Sequence, residues 1–245
     1  MDAWRLDEGA HAGPEHLDPG YVAGYERKAG YDPTADVEVL LAHGIGADSV
    51  VVDLAAGTGV FARAMAPHCR QVIAVDVSPA MVAALRTRVG AEGLTNVRVV
   101  EGGFLSYEHT GPPPAAVFTR NALHQLPDFW KVVALRRIAD LLEPGGVLRV
   151  RDLVYGFGPA EIDERVAGWM AWAVDDPAVG YTAEEYATHL RTEFSTFSWL
   201  FEPMLERTGF TILDREDVIG FYAAYTCRTE SPRSLEDSLT RRCRG

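Results

Sequence analysis

The chain has 245 residues, enough to bury one sizeable core, and 47% of them are hydrophobic. A formal net charge of -12 argues against nucleic acid as a partner, because phosphate binding needs a basic surface. No apolar run is long enough to span a bilayer, and the first residues do not resemble a signal peptide. The three cysteines, Cys69, Cys227 and Cys243, fit neither a disulfide framework nor a zinc site, so we expect a cytoplasmic protein without membrane partners or bound metal.

Apolar periodicity divides the chain into alternating helices and strands, the order that builds a parallel doubly wound sheet. Residues 1–20 are rich in Gly, Pro and His and are expected to form a loose arm before a short helix at 21–30. The elements predicted after that are helix 34–43, strand 50–54, helix 59–66, strand 71–76, helix 79–92, strands 97–100 and 115–119, helix 128–142 and strand 147–154.

A long insertion follows the fifth strand. It covers about residues 156–201. Residues 156–196 hold two helix candidates, one opening on the capping-box pattern at Thr182, and a third helix is expected at about 198–208. Strands near 211–218 and 220–228 then close the sheet as a hairpin. An insertion at this position lies over the carboxyl ends of the strands, where ligands bind in open α/β sheets.

Two strand ends carry the clearest functional signal. The first strand includes Asp53 and leads into a small-residue turn, and the second ends at Asp76, 19 residues after Gly57. Gly57 and Gly59 let the backbone turn sharply and approach a ligand closely, because neither has a Cβ. Asp76 stands where a carboxylate can bond both hydroxyls of a ribose. The pattern therefore predicts a site for an adenosine-containing cofactor.

The same turn fits two cofactors. Residues 57–62 match G-x-G-x-x-A, a weak dinucleotide fingerprint that leaves an NAD-dependent oxidoreductase as an alternative. Asp53, four residues before Gly57, would repel a pyrophosphate but attract an ammonium and a sulfonium. Local electrostatics therefore favour S-adenosylmethionine.

Four segments resemble the motifs of the class I S-adenosylmethionine-dependent methyltransferases, namely residues 50–62, 75–81, 121–126 and 142–148. The resemblance covers roughly residues 34–226. It implies a Rossmann-like, doubly wound α/β sheet of seven strands, the last antiparallel, with a helical cap inserted after the fifth strand. We accordingly divide the chain into an N-terminal arm or lid (1–33), a methyltransferase domain (34–228) and a polar tail (229–245).

The resemblance also implies a set of cofactor contacts. Asp53 is expected to orient the amino group, Asp76 to bind the ribose hydroxyls, and Asn121 to offer its carbonyl near the sulfonium or the ammonium. Lys28 or Tyr25 is the candidate partner of the cofactor carboxylate. The remaining implied contacts, through backbone groups or apolar packing, involve Ala55, Gly57, Gly59, Val77, Met81, Gly103 and Phe104.

Two positions depart from the family pattern. Ala55 stands where the family usually has the first glycine of the turn, and it is tolerable if its φ is negative. Gly103 stands where the family often has an acid for the adenine amine, which leaves adenine recognition to backbone groups and apolar contacts.

Methyl transfer from a sulfonium is an in-line displacement, so the protein mainly has to position the acceptor and exclude water. A general base is needed only where the acceptor loses a proton. His124, after the fourth strand, is the candidate, with Asp152 and Tyr155 as alternatives. The other interpretation is that His124 only fixes its loop by hydrogen bonding.

The insertion is also aromatic. Most of its rings are expected to pack the added helices onto the domain. We expect two or three of them to line an apolar acceptor pocket, and Tyr21, Tyr25 and Tyr31 to complete a lid from the other side. The alternative is that all of the rings serve packing alone. The rings of the insertion are Trp169, Trp172, Tyr181, Tyr186, Phe194, Phe197 and Trp199.

The sequence thus predicts S-adenosylmethionine-dependent methyl transfer to oxygen or nitrogen of a small-molecule acceptor, with S-adenosylhomocysteine as the second product. Two further alternatives remain open at this point. One is a methyltransferase that acts on a protein or a nucleic acid, and the other is a cofactor-binding protein that does not methylate.

Overall fold

The computed structural model describes residues 4–229, which form a layered α/β structure. Its strands are β1 (Val50–Leu54), β2 (Gln71–Asp76), β3 (Val97–Glu101), β4 (Ala116–Arg120), β5 (Val147–Tyr155), β6 (Thr196–Phe197), β7 (Phe210–Val218) and β8 (Tyr222–Thr229). Its helices are α1 (Pro19–Ala29), α2 (Thr34–Ala42), α3 (Val60–Met65), α4 (Pro79–Ala91), α5 (Asp128–Leu141), α6 (Ile162–Met170), α7 (Ala183–Thr192) and α8 (Ser198–Arg207).

Seven strands form the sheet in the order β3-β2-β1-β4-β5-β8-β7. Strands β1 to β5 pair in parallel, and β8 runs antiparallel to both β5 and β7. The predicted seven-stranded Rossmann-like sheet with an antiparallel last strand is confirmed. The analysis of the sequence missed β6, which pairs with the end of β5, because two residues carry no periodic signal.

The alternation of side chains along β1 explains why helices cover both faces of the sheet. Val52 packs with Leu135 of α5 on one face, whereas Val51 packs with Phe61 of α3 on the other. Every residue of β1 is buried, as expected for a parallel strand covered on both sides. The carboxyl ends of β1, β2 and β4 lie together at one edge of the sheet, where cavities open.

The N-terminal arm is packed against the domain rather than loose. Its residues form two short 3-10 helices, Glu8–His11 and Pro14–Leu17, and the Ser78 hydroxyl donates to the His16 carbonyl at 2.7 Å. The prediction of a loose arm over residues 1–20 is therefore wrong for the part that the structure describes. Polar contacts hold this segment in place, and hydrophobic periodicity cannot reveal them.

The insertion forms α6, α7 and β6 and packs through aromatic rings. The predicted capping box is confirmed, since the Thr182 amide donates to the Glu185 carboxylate at 2.8 Å and the Glu185 amide donates back to the Thr182 hydroxyl. Trp169 stacks on Phe221 with ring centroids 4.5 Å apart. The buried Lys131 of α5 donates to the Phe194 carbonyl and joins the insertion to the domain.

None of the helices within residues 4–229 has the length and apolar content needed to cross a bilayer. The predicted tail, 229–245, lies outside the described residues except for Thr229, and so does Cys243.

Candidate cofactor and acceptor site

Two neighbouring cavities open at the carboxyl ends of β1, β2 and β4. The Asp76 cavity holds the predicted residues Ala55, Gly57, Asp76, Val77, Met81, Gly103, Phe104 and Asn121 in its lining. The Asp53 cavity adjoins it and is lined by Asp53, Thr58 and Phe118, among others. Tyr25, Ala55, Gly57 and Arg120 line both cavities. Nine of the ten predicted cofactor residues thus line one continuous depression, and Gly59 does not.

The turn after β1 is left-handed at three positions. Ala55 has φ 61°, so the condition of a negative φ is not met, and the alanine carries a strained backbone where a glycine would not. Gly57 has φ 56° and directs its amide at the Asp76 carboxylate, 2.7 Å away. Gly59 has φ 84°, and a Cβ there would collide with Leu85 of α4. Helix packing, rather than a cavity, therefore requires the glycine at 59.

The Asp76 carboxylate is fixed by backbone amides. One oxygen accepts from Gly57, and the other accepts from Ser78 at 2.8 Å. Burial raises the pKa of Asp76, against the effect of these two amides. Each carboxylate oxygen has a second lone pair, so the side chain can still accept two hydroxyl groups.

Asp53 is a buried carboxyl group with an unsatisfied oxygen. Its Oδ2 has no hydrogen-bond partner within residues 4–229, and its side chain is only 2% exposed. Burial, together with the nearby Asp76, raises the pKa of Asp53 to about 8. A charged Asp53 therefore requires a cation in the Asp53 cavity.

A carboxylate from the N-terminal arm lies beside Gly103. Glu8 is buried, accepts from the Leu105 amide at 3.0 Å and from the Ser106 hydroxyl, and lines the Asp76 cavity. A Cβ at position 103 would collide with the Glu8 carboxylate. The structure thus adds a carboxylate to the backbone and apolar groups that were expected to recognise adenine here. Glu8 was not predicted, because no local pattern links it to a loop 97 residues away.

The cation near the two cavities is Arg120 rather than Lys28. The Arg120 guanidinium lies 4.0 Å from the Tyr31 ring centroid, and its buried Nε has no hydrogen-bond partner in the described part of the chain. Lys28 pairs with Glu185 and lines neither cavity, whereas the alternative candidate, Tyr25, lines both. Arg120 ends β4, so the strand-end rule that found Asp76 is the signal that could have found it.

A further cavity of about 290 Å³, here called the His124 cavity, lies under the insertion. Trp169, Tyr181 and Tyr186 line it from the insertion, and Tyr21 and Tyr25 line it from α1. Tyr31 lines the Asp53 cavity instead, and its hydroxyl donates to Asp36 at 2.8 Å. The lining is more ionisable than the predicted apolar pocket, since it also contains His16, His124, His189, Glu184, Glu185 and Glu193.

His124 is buried between two carboxylates. Its Nδ1 lies 2.5 Å from Asp152 Oδ1, and its Nε2 lies 3.1 Å from Glu193 Oε2. Burial alone would lower the pKa of His124, but Asp152 and Glu193 raise it to about 9. Asp152 also accepts from the Leu123 amide at 2.7 Å, so it anchors the loop. Tyr155, the other alternative, packs between Phe157 and Phe197 and does not line the His124 cavity.

Comparison with known proteins agrees with this geometry. Residues 51–146 match the family model described as methyltransferase domain. The fold is that of a S-adenosylmethionine-dependent methyltransferase from Clostridium acetobutylicum ATCC 824, with TM-score 0.66 and 13% identity over 86% of this chain and 98% of that chain. A SAM-dependent methyltransferase from Aquifex aeolicus gives TM-score 0.61 and 18% identity over 86% of this chain and 98% of that chain. The matched segment is therefore a methyltransferase domain, and the fold of the chain is that of S-adenosylmethionine-dependent methyltransferases.

The two solved structures are named for S-adenosylmethionine, and the residues of the two cavities here fit that cofactor. The unsatisfied Asp53 oxygen suits the ammonium, and the amide-bound Asp76 carboxylate suits the ribose. One curated relative, an rRNA adenine N-6-methyltransferase of Streptomyces fradiae, is 35% identical over 57 residues. That match covers 23% of this chain and spans only 18% of the length of the curated relative.

Proposed function

We propose that this protein transfers the methyl group of S-adenosylmethionine to an oxygen or nitrogen atom of a small polar molecule held in the His124 cavity. The observation that carries the proposal is the shared wall of two cavities. Asn121, Gln125, Tyr25 and His16 line both the Asp76 cavity and the His124 cavity. Donor and acceptor would therefore meet beside Asn121, within the reach that an in-line displacement needs.

In this proposal the cofactor extends across both cofactor cavities. Asp53 binds the ammonium and Arg120 the carboxylate of the methionine part, and the Ala55 and Gly57 backbone lies along it. Asp76 binds the ribose hydroxyls. The Glu8 carboxylate accepts from the adenine amine, and the ring packs against Val77, Met81 and Phe104, which line the Asp76 cavity. The backbone at Gly103 passes the adenine edge.

The acceptor would be enclosed by α1 on one side and by the insertion on the other. Five tyrosines and a tryptophan in the lining offer flat surfaces, and the tyrosine hydroxyls offer hydrogen bonds to a polar acceptor. Closure of such a cavity excludes water from the sulfonium. His124 stays the predicted base for an acceptor that loses a proton. With a pKa of about 9, however, it is mostly protonated at pH 7, and then it holds its loop through Asp152.

Methylation of RNA is the second candidate. The 57-residue match to an rRNA adenine N-6-methyltransferase supports it. A net charge of -12 and the enclosure of the His124 cavity by α1 and α7 argue for the small molecule. The buried thiols of Cys69 and Cys227, which form no disulfide, suit a protein that works in the reducing cytoplasm.

The proposal is tested with S-adenosylmethionine labelled in its methyl group. Purified protein is incubated with a panel of small amines, phenols and carboxylic acids, and in parallel with total RNA and with a protein extract. We expect label in the small-molecule fraction, and its loss in Asp76→Ala, the matched variant without ribose binding. Label confined to RNA or protein would contradict the proposal. Tight S-adenosylhomocysteine binding without transfer to any acceptor would support the alternative of a protein that does not methylate.

A further inference from the structure

Three potential metal-binding atoms converge on the wall of the His124 cavity. His124 Nε2, His189 Nδ1 and Glu193 Oε2 all lie within 4.8 Å of one another. Within this group, Glu193 Oε2 is 3.1 Å from His124 Nε2 and 2.5 Å from His189 Nδ1. Two histidines and one carboxylate on one side of a cavity are a common ligand set for divalent transition metals.

In each histidine, the ring nitrogen that is not part of this group already has a hydrogen-bond partner. His124 Nδ1 is 2.5 Å from Asp152 Oδ1, and His189 Nε2 is 2.7 Å from the Ser195 hydroxyl. Asp152 is itself fixed by the amides of Leu123 and Leu153, both at 2.7 Å. This is the arrangement found around metal-binding histidines, in which the second ring nitrogen donates to a carboxylate or another oxygen and so orients the ring.

With these hydrogen bonds in place, His124 Nε2 and His189 Nδ1 are the ring nitrogens left beside Glu193 Oε2. A neutral His124 that donates from Nδ1 to Asp152 offers its Nε2 lone pair, which the Gln125 amide nitrogen approaches at 3.2 Å. His189 likewise offers its Nδ1 lone pair when Nε2 donates to Ser195. Glu193 Oε2 is buried, and within residues 4–229 it accepts no hydrogen bond of normal geometry, although both nitrogens are close. Protons on the two histidines can balance the Glu193 charge here, and a divalent cation that displaces those protons would bind the same three atoms.

We propose that His124 Nε2, His189 Nδ1 and Glu193 Oε2 bind a divalent transition metal ion, such as Zn²⁺, Co²⁺ or Mn²⁺. Imidazole ligands favour these ions over Mg²⁺ and Ca²⁺, which prefer sets of oxygens. Three protein ligands leave coordination positions open towards the His124 cavity. The sequence-based expectation of no metal site considered only the cysteines, and the two histidines lie on separate elements that the fold brings together.

A metal ion at this wall of the cavity would also activate the acceptor, a role that rests on the proposed methyl transfer. An acceptor hydroxyl bound at an open position would lose its proton more readily, because the cation stabilises the anion. His124 would then act as a ligand rather than as a general base.

Metal binding is measured apart from methyl transfer. Full-length protein is treated with a chelator, desalted, and titrated with Co²⁺ while its visible absorption is recorded, and Zn²⁺ is then added as a competitor. We expect one equivalent of bound Co²⁺ in wild type, displaced by Zn²⁺, and at least a tenfold loss of affinity in His189→Ala and Glu193→Gln. His68→Ala is the control. It removes an exposed histidine that does not line the His124 cavity, and it should bind like wild type.

Equal Co²⁺ affinity in wild type and in both ligand variants would overturn the proposal, as would no Co²⁺ binding by the wild-type protein. Calorimetry with S-adenosylhomocysteine shows which variants are folded. If a ligand variant does not bind S-adenosylhomocysteine, the test uses the wild-type protein instead, with nuclear magnetic resonance of its histidine rings. Co²⁺ should then shift or broaden the resonances of His124 and His189 more than those of His68, and equal broadening of all three would contradict the site.

Discussion

Glu8 occupies the space that any side chain at position 103 would need. The carboxylate reaches this space from the N-terminal arm and is held there by the Leu105 amide and the Ser106 hydroxyl. A glycine at 103 and a glutamate at 8 are therefore two parts of one arrangement. Because Glu8 also lines the Asp76 cavity, the arm that carries it forms part of the cofactor site.

Replacing Glu8 tests its proposed contact with the adenine amine. Glu8→Ala should weaken S-adenosylhomocysteine binding by about 1.5–3 kcal/mol, the contribution of a hydrogen bond to a charged group. The inosine analogue has a carbonyl in place of the amine, so its binding should be weak in wild type and much less affected by the substitution. Calorimetry measures both ligands. Asp7→Ala, at the exposed neighbouring position, is the control, and an equal loss for both ligands would show that Glu8 only holds the arm.

Asp53 should release a proton when the cofactor binds. Burial and Asp76 raise the pKa of Asp53 to about 8 in the free protein, so the group is mostly protonated at pH 7. The ammonium of the cofactor binds the charged form and therefore drives proton release. Calorimetry of S-adenosylhomocysteine binding in two buffers of different ionisation enthalpy should detect this release at pH 7 but not above about pH 9. Asp53→Asn should abolish it, and a buffer-independent enthalpy at pH 7 in wild type would contradict the prediction.

The same carboxyl group should lower the stability of the free protein at alkaline pH. Because the folded-state pKa of Asp53 lies above its unfolded value, the folded state binds the proton more tightly. Asp53 therefore contributes to the free energy of unfolding in full below its unfolded-state pKa, and this contribution is lost as the pH rises through about 8. Asp53→Asn should therefore melt at a higher temperature than wild type at pH 8.5, with a smaller difference at pH 5. A constant difference between these pH values would show that Asp53 does not titrate in this range.

Asp76 should contribute most of the selectivity for a ribose. Asp76→Ala removes the acceptor of both hydroxyl groups, and we expect a loss of about 1.5–3 kcal/mol for each hydrogen bond to a charged group. Isothermal calorimetry with S-adenosylhomocysteine gives the affinity. The 2′-deoxy analogue should lose less than the parent ligand, because one of its bonds is already missing. Equal losses for the two ligands would place the ribose away from Asp76.

Loss of one partner of the buried ion pair between Arg149 and Asp36 should destabilise the fold. Arg149 Nε lies 2.9 Å from Asp36 Oδ1, and both side chains are buried. Asp36→Asn leaves the buried Arg149 with only the half-exposed Glu216 as a charged partner, so we expect a decrease of up to about 3–5 kcal/mol in the free energy of unfolding. Asp140→Asn, in the exposed pair with Arg136, is the matched control and should cost less than about 1 kcal/mol. Urea titration compares them, and equal losses would contradict the difference expected from burial.

The sequence alone determined the order of the helices and strands, and it determined which edge of the sheet carries the cofactor residues. Strands β1 and β2 begin and end where the apolar runs do, because burial on both faces leaves a continuous apolar signal. Asp53, Gly57 and Asp76 could be assigned because strand, turn and helix are local features, and because parallel strands bring their carboxyl ends to one edge. The left-handed φ at Ala55 was not predictable in this way, since alanine gives no sign of it.

The tertiary structure alone decided which distant residues complete the site. Glu8 reaches the loop of Gly103 across 97 positions, and His189 meets His124 through an insertion whose helices show only their own apolar faces. Such contacts are polar and non-local, so they leave no period in the chain. The strand-end rule could have placed Arg120 at the site, but its stacking on Tyr31 depends on where α1 and α2 pack. Periodicity reports which face of an element is buried, and only the packed fold reports which polar groups meet across it.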